Sequence, residues 1–229
     1  MSDTEENRIA ADEQASQADG VVPAADGSAT AAAVEQKEPW WRGVIEFVVA
    51  FAIMVAAIML LRTFVIEPFQ IPSGSMLNTI EIGDRVFAEK ISVALDPMPE
   101  PGEIVTFVNP RDPSETLIKR VIAVGGQTID LRDGVVYIDG VALDEPYTDG
   151  QPTYPMTADK KFLGGDITYP YTVPEGCFWA MGDNRRNSAD SRVFGPVSAD
   201  SVTGHAIFRY WPIFRSTSDG LELAIGPLD

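Results

Sequence analysis

Ser73 and Ser75 stand two residues apart in the run Phe69-Gln70-Ile71-Pro72-Ser73-Gly74-Ser75-Met76. Hydroxyls so spaced can serve acyl transfer, one attacking a carbonyl while the other donates a hydrogen bond. Pro72 locks its own φ and pushes Ile71 toward extended geometry, and Gly74 lets the backbone approach a ligand closely. The same tripeptide is equally an ordinary surface turn, since Ser and Gly are common turn formers. An attacking serine needs a base for its proton, usually histidine. The single histidine, His205, lies in the late strand Gly204-His205-Ala206-Ile207-Phe208. Nothing near it resembles a His-Asp arrangement, and it reads as structural.

Lysine is the other base documented for serine. In Leu117-Ile118-Lys119-Arg120-Val121-Ile122 the two-residue period of a strand sets Leu117, Lys119 and Val121 on one face. An ammonium between Leu and Val is poorly solvated, and desolvation lowers a lysine pKa by up to about 3 to 5 units. At a reference pKa of about 10.4 only about one lysine in 2,500 is neutral at pH 7. At a pKa of about 8 the fraction is about one in ten, for roughly 3 kcal/mol of folding free energy. A lysine on such a face can also snorkel to the surface.

A third cluster is Met181-Gly182-Asp183-Asn184-Arg185-Arg186-Asn187-Ser188-Ala189-Asp190-Ser191-Arg192. Its composition after a strand indicates a tight hydrogen-bonded loop. Asp183, Asn187 and Asp190 could offer oxygen ligands to a cation. The interleaved arginines oppose that, so an Arg/Asp hydrogen-bonding loop is favoured over a metal site. Cys177, the only cysteine, excludes an intramolecular disulfide, has no partner for a metal, and reads as a small buried hydrophobe on a strand.

These groups need a scaffold. With 229 residues, 45% of them hydrophobic, the chain can bury one real core and carry something more. Residues 1–43 hold 3 basic and 9 acidic side chains, residues 44–61 hold Glu46 alone, and the whole chain carries −17. So acidic a surface argues against nucleic acid, whose phosphates require Lys and Arg. Residues 1–38 lack bulky apolar periodicity and cannot offset chain entropy, so 1–43 is expected to be a disordered acidic tail. It ends at Pro39-Trp40-Trp41-Arg42, where the indoles suit a bilayer's headgroup level. Val44 to Leu61 is eighteen residues with one charge, about 27 Å as a helix against a hydrocarbon core of roughly 30 Å. The segment 44–61 is expected to be a retained transmembrane helix, since a cleaved export signal is shorter and ends in a small-x-small site. Glu46, about one turn from the interface, can snorkel. Lys37 and Arg42 against Arg62 lean toward a single pass of the cell membrane with a cytoplasmic N-terminus and an extracytoplasmic domain 62–229.

Beyond Arg62 the pattern is β. Runs rich in β-branched residues recur at Val86-Phe87-Ala88, Ile104 to Val108, Leu117 to Val124, Val135 to Ile138, Phe178 to Met181 and His205 to Tyr210, divided by Gly, Pro and Asp. Asp139-Gly140 between Val135-Val136-Tyr137-Ile138 and Val141-Ala142-Leu143 marks a hairpin with a primed turn. Residues 144–170, with Pro146, Pro152, Pro155 and the adjacent Gly164 and Gly165, read as an irregular excursion. The expected fold is mainly β and antiparallel, with about 132–176 forming a cap-like hairpin and loop insertion.

Taken together, an anchor, then Ile71-Pro72-Ser73-Gly74-Ser75-Met76, Gly83-Asp84, Gly102-Glu103-Ile104-Val105, Lys119-Arg120-Val121, and Gly182-Asp183-Asn184-Arg185 through Ser188-Ala189-Asp190-Ser191-Arg192 closely resemble bacterial signal peptidase I. The resemblance runs from about Arg62 to about Pro212. It implies a membrane-anchored Ser-Lys endopeptidase, without metal or cofactor, that removes signal peptides from exported precursor proteins. By this resemblance Ser75 falls on the nucleophile and Lys119 on the general base. Ser73 falls on the hydroxyl that joins the Ser75 N–H in the oxyanion hole, and Ser188 on the hydroxyl that orients the lysine. Asp190 and Arg192 would form a salt bridge, and Arg120 would pair with Asp183. The domain's apolar flank would rest on membrane lipid. Phe69, Ile71, Met76, Ile80, Val86 and Ile118 match the walls of shallow pockets for small side chains at the first and third positions before the cut. Three positions depart from the family pattern. Asn78 replaces the proline of Met-x-Pro-Thr, Arg186 stands where aspartate is usual, and Gly125-Gly126-Gln127 replaces Pro-Gly-Asp. Two rivals are a self-cleaving Ser-Lys peptidase of the repressor type, which would need a DNA-binding portion, and a tethered β domain that binds exported proteins without cutting them.

Overall fold

The structure is a computed structural model that describes residues 39–159, 166–217 and 220–228. The expected tail therefore lies outside the described residues up to position 38. The chain divides into two units, Met1–Ile45 and Glu46–Asp229. Helix α1 (Trp40–Phe64) has 25 residues and outruns the expected 44–61 at both ends. Its N-terminal extension follows Pro39, whose carbonyl accepts from Arg42 N at 2.9 Å. At the other end Arg62 faces the negative pole of the helix dipole, and Thr63 Oγ1 returns to the Met59 carbonyl at 2.7 Å. Polar residues at the rim thus continue the helix, because neither glycine nor proline stops it before Pro68. None of its residues is buried, and its length and apolarity suffice to cross a membrane.

The rest is mainly β. In chain order the strands are β1 (Ile66–Gln70), β2 (Arg85–Glu89), β3 (Ile104–Val108), β4 (Thr116–Val124), β5 (Thr128–Arg132), β6 (Val135–Ile138) and β7 (Val141–Ala142). They continue as β8 (Tyr171–Thr172), β9 (Cys177–Met181), β10 (Val197–Ser198), β11 (Val202–Trp211), β12 (Phe214–Thr217), β13 (Gly220–Leu223) and β14 (Gly226–Pro227). Among the described residues two short helices, α2 (Ile91–Leu95) and α3 (Ser191–Phe194), interrupt them. One sheet runs β1-β2-β11-β3-β4-β9-β10, with β14 on β11. A smaller sheet runs β7-β6-β5-β8, and β12 and β13 form a two-stranded sheet. All pairings are antiparallel. The turn joining β6 to β7 has Asp139 and Gly140 at φ 51° and 84°, the left-handed pair a primed turn requires.

Strands β4 and β9 are buried on both faces, which divides the core. Val121, Phe178 and Ala180 meet Phe107 and Phe194 on one side. Ile122, Ala123, Trp179 and Met181 meet Ile129, Val136 and Val173 on the other. Cys177, at the open start of β9, is half-buried rather than buried, and packs at the edge of the second cluster. A third cluster joins Ile71, Met76, Ile80, Val86, Ile104 and Ala206. On the β12–β13 hairpin Phe214, Leu221 and Leu223 are exposed, as are nearby Trp211 and Ile213.

Candidate active site

The loop between β1 and β2 carries Ser75. Its neck is closed by Ile71 N to the Asp84 carbonyl at 2.9 Å and Gly83 N to the Ile71 carbonyl at 2.8 Å. Inside the neck the chain turns tightly, with Thr79 N and Ile80 N both donating to the Met76 carbonyl. Met76 and Ile80, essentially inaccessible, pull this turn into the third cluster, so the apolar residues after Ser75 pin its backbone. Asn78 sits at φ 82°. Asparagine tolerates the left-handed region, whereas proline is confined near −65°. Asn78 therefore marks a different local turn from the one a proline would make.

The neck is also tied by charge. Asp84, 1% exposed, accepts from Arg215 Nη2 at 2.5 Å and from Glu81 N at 2.9 Å, and Arg209 Nη1 lies 3.5 Å away. Arg209 Nη1 donates to the Thr79 carbonyl at 2.9 Å.

Lys119 is on β4 opposite Val105 of β3 and is 3% exposed. Its Nζ donates to Ser75 Oγ at 2.8 Å and to the Ile118 carbonyl at 2.9 Å. Burial pushes its pKa from 10.5 down to about 8, against the opposing pull of Asp190 and Asp183. A buried amine in contact with a buried hydroxyl can take that hydroxyl's proton when neutral.

The segment 182–192 surrounds this pair. Asn184 donates its side-chain amide to the Gly74 carbonyl at 2.8 Å and its backbone N–H to the Ser75 carbonyl at 3.1 Å. Asp183 accepts from Arg120 Nε and Nη2 at 3.0 and 2.9 Å and from Thr79 Oγ1 at 2.5 Å. Asp190 accepts from Arg192 Nε and Nη2 at 2.9 and 2.8 Å and from Gly182 N at 3.1 Å. Both carboxylates are thus committed to guanidiniums. Among the described residues no group of three or more His, Cys, Asp or Glu side chains is disposed to hold a metal. A Cβ built at Gly182 would overlap both Ser188 Oγ and the Ser75 carbonyl, so glycine is what lets the two serines approach. Ser188 Oγ is buried and makes no hydrogen bond among the described residues, to Lys119 or to any other group. Ser73 is exposed at the mouth of the turn.

A shallow groove of about 40 Å³ runs between β1 and β4, lined by Phe69, Ile71, Pro72, Thr106, Leu117 and Ile118 among others. Three of the expected wall residues, Phe69, Ile71 and Ile118, are there. Met76, Ile80 and Val86 do not line it, because they pack behind Ile71 in the third cluster. His205 lines a separate cavity of about 350 Å³ with Glu89 and Glu103, its Nδ1 3.3 Å from Glu103 Oε2. Nothing in the sequence assigns partners to Asn184, Thr79 and Asp84. Asn184 and Asp84 lie inside recognisable motifs, but only geometry says which carbonyl or guanidinium each one meets.

Residues 44–211 match the family described as signal peptidase, peptidase S26. The chain belongs to that family and is a peptidase of the signal peptidase I class. It is 39% identical over 182 residues to a probable signal peptidase I-1 of a Synechocystis species, covering 76% of this chain and 86% of that one. Signal peptidase I of Bacillus caldolyticus is 33% identical over 164 residues, covering 70% and 87%. A solved signal peptidase I from Enterococcus faecalis V583 aligns with 47% of this chain and 95% of its own at 33% identity, with a TM-score of 0.37.

Proposed function

We propose that this chain is a membrane-anchored serine endopeptidase that cuts signal peptides from exported precursor proteins by a Ser75–Lys119 dyad. The observation that carries the dyad is the 2.8 Å contact between two buried groups, Lys119 Nζ and Ser75 Oγ. Neutral Lys119 accepts the Ser75 proton as Oγ attacks the scissile carbonyl. The tetrahedral oxyanion is met by the Ser75 N–H and the Ser73 hydroxyl, and losing one such donor costs about 100- to 1,000-fold in turnover. Lys119, now an ammonium, protonates the leaving amine, and the signal peptide stays as an ester on Ser75. The same amine then takes a proton from the water that hydrolyses the ester. Ser188, whose buried hydroxyl makes no hydrogen bond among the described residues, orients the lysine only once that hydroxyl turns onto Lys119 Nζ during the cycle. Arg120 with Asp183, and Arg192 with Asp190, fix the loop that holds both groups.

The substrate lies extended in the groove beside Phe69, Ile71 and Ile118, whose shallowness favours small residues at the first and third positions before the cut. Met76, Ile80 and Val86 set its depth from behind. The apolar helix crosses the cell membrane once, leaving an acidic cytoplasmic tail at 1–43 and an extracytoplasmic peptidase domain from residue 62. Residues of about 132–176 form an insertion on that domain. Tethering raises the local concentration of precursors that are themselves in the bilayer.

The experiment is cleavage of a precursor bearing Ala at both specificity positions by the purified full-length chain in detergent. Ser75→Ala and Lys119→Arg are expected to fold and to be inert, the second because guanidinium does not deprotonate near neutrality. Wild-type cutting by either variant would assign the corresponding role elsewhere.

A further inference from the structure

Residues 144–153 belong to neither sheet, and the chemistry above gives them no part. Within them a single turn of 3-10 helix, Pro146–Thr148, brings Glu145 and Tyr147 against the arginine-rich segment. Glu145 takes both arms of Arg185, with Oε2 3.0 Å from Nη1 and Oε1 2.5 Å from Nη2. Tyr147 Oη donates to Glu145 Oε1 at 3.1 Å. The Tyr147 ring then faces two guanidiniums, with Arg120 Cζ 4.1 Å and Arg185 Cζ 5.8 Å from its centroid. Arg185 is fixed in turn by Thr153 Oγ1 at 2.6 Å and by the Gly182 carbonyl at 3.1 Å. A ring's negative face holds a guanidinium most strongly where water is excluded, and Arg120 and Arg185 are both buried.

We infer that Tyr147, locked by Glu145 and Arg185, is a positioning residue of the reaction: its ring holds Arg120 on Asp183 and so sets the charge that Lys119 meets from that side. This rests on the Ser75–Lys119 dyad proposed above. The charged groups that bear on Lys119 are Asp190 and Asp183. Arg192 is paired with Asp190, and Arg120 with Asp183. Across the sheet the neighbour of Lys119 is uncharged Val105, and the nucleophile loop meets it with the Ser75 hydroxyl. Without the ring Arg120 loses one of the surfaces that hold it, Asp183 is less neutralised, and the ammonium form of Lys119 is favoured. The groove at Phe69, Ile71 and Ile118 is lined by none of these groups, so substrate affinity is unaffected.

The test is the pH dependence of kcat/KM for the full-length chain in detergent, with the same precursor. Tyr147→Leu is expected to move the acid limb upward by roughly half a pH unit, and so to lower kcat at pH 7 by about threefold with KM unchanged. Tyr147→Phe keeps the ring and is expected to keep the wild-type limb. Loss of folded protein alone would lower kcat and leave the limb in place. Should Tyr147→Leu fail to fold, Tyr147→Met takes its place. An unmoved limb in the folded variant, or an equal shift in Tyr147→Phe, overturns the inference. If Ser75→Ala still cuts, the dyad itself has failed; an inert Ser75→Ala with an unmoved limb removes the Tyr147 role alone.

Discussion

In the proposed dyad, Lys119 sets a conflict between stability and chemistry. Its pKa is about 8 in the folded chain against 10.5 unfolded. Above pH 10.5 both states hold the amine neutral, while below about 8 the folded state bears the whole penalty. The contribution of this group to stability therefore improves as pH rises from 8 to 10.5, by roughly 3 kcal/mol. Lys119→Met keeps the length and removes the charge, so a gain of up to about 3 kcal/mol at pH 7 is expected in denaturant melts of the detergent-solubilised chain. An unchanged or lower midpoint would mean that the amine is better solvated than its burial implies. Under the proposed dyad the same group governs rate in the other direction. Turnover that needs the neutral amine should fall about tenfold per unit as pH drops below 8, and an acid limb centred near 6.5 would point to histidine instead.

At the scale of elements, the loop from Ile71 to Asp84 is the part whose shape matters most. Asn78 at φ 82° occupies a conformation closed to proline. Asn78→Pro is expected to cost about 3 kcal/mol or more and to abolish cutting, while Asn78→Gly, which suits the same angle, should melt near the wild type. Asp84 closes the neck against Arg215 and Arg209, which keep partial access to solvent. Asp84→Asn should therefore lower stability by about 2 kcal/mol, less than for a fully buried pair, read as a shift in thermal midpoint. Much of this frame was legible beforehand. The β-branched runs of β3, β4 and β6, the apolar run of β9 and the Asp139-Gly140 turn mark strands to within a residue or so, and β3, β4 and β9 read as continuous apolar runs because both of their faces are buried. Strand β1 was not marked, since Pro68 reads as a break; it is tolerated because β1 is an edge strand, where one side needs no donor. The five-residue α2 was too short to show a period. At the site, Ser75 and Lys119 could be singled out by chemistry, but Met76, Ile80 and Val86 could not be told apart from Phe69 and Ile118. All are apolar, and only packing decides which face the groove and which lie behind it.

For the whole molecule, one helix and one β domain must work in two media. The 25 residues of α1 would extend about 37 Å, more than a hydrocarbon core. Full-length chain expressed in cells should stay with the pelleted membrane in alkaline carbonate, and deletion of residues 40–64 should reduce that retention. Full-length protein in the supernatant would contradict a spanning helix. The uncovered side chains of Trp211, Phe214, Leu221 and Leu223 determine how purified chains treat each other. In dilute buffer, mutual repulsion of like charges opposes adhesion at these edges, and it vanishes at an isoelectric point near 4.3. Clouding on acidification should follow, and polar replacements at Phe214 and Leu223 should raise the colloidal limit while leaving the proton titration curve where it was.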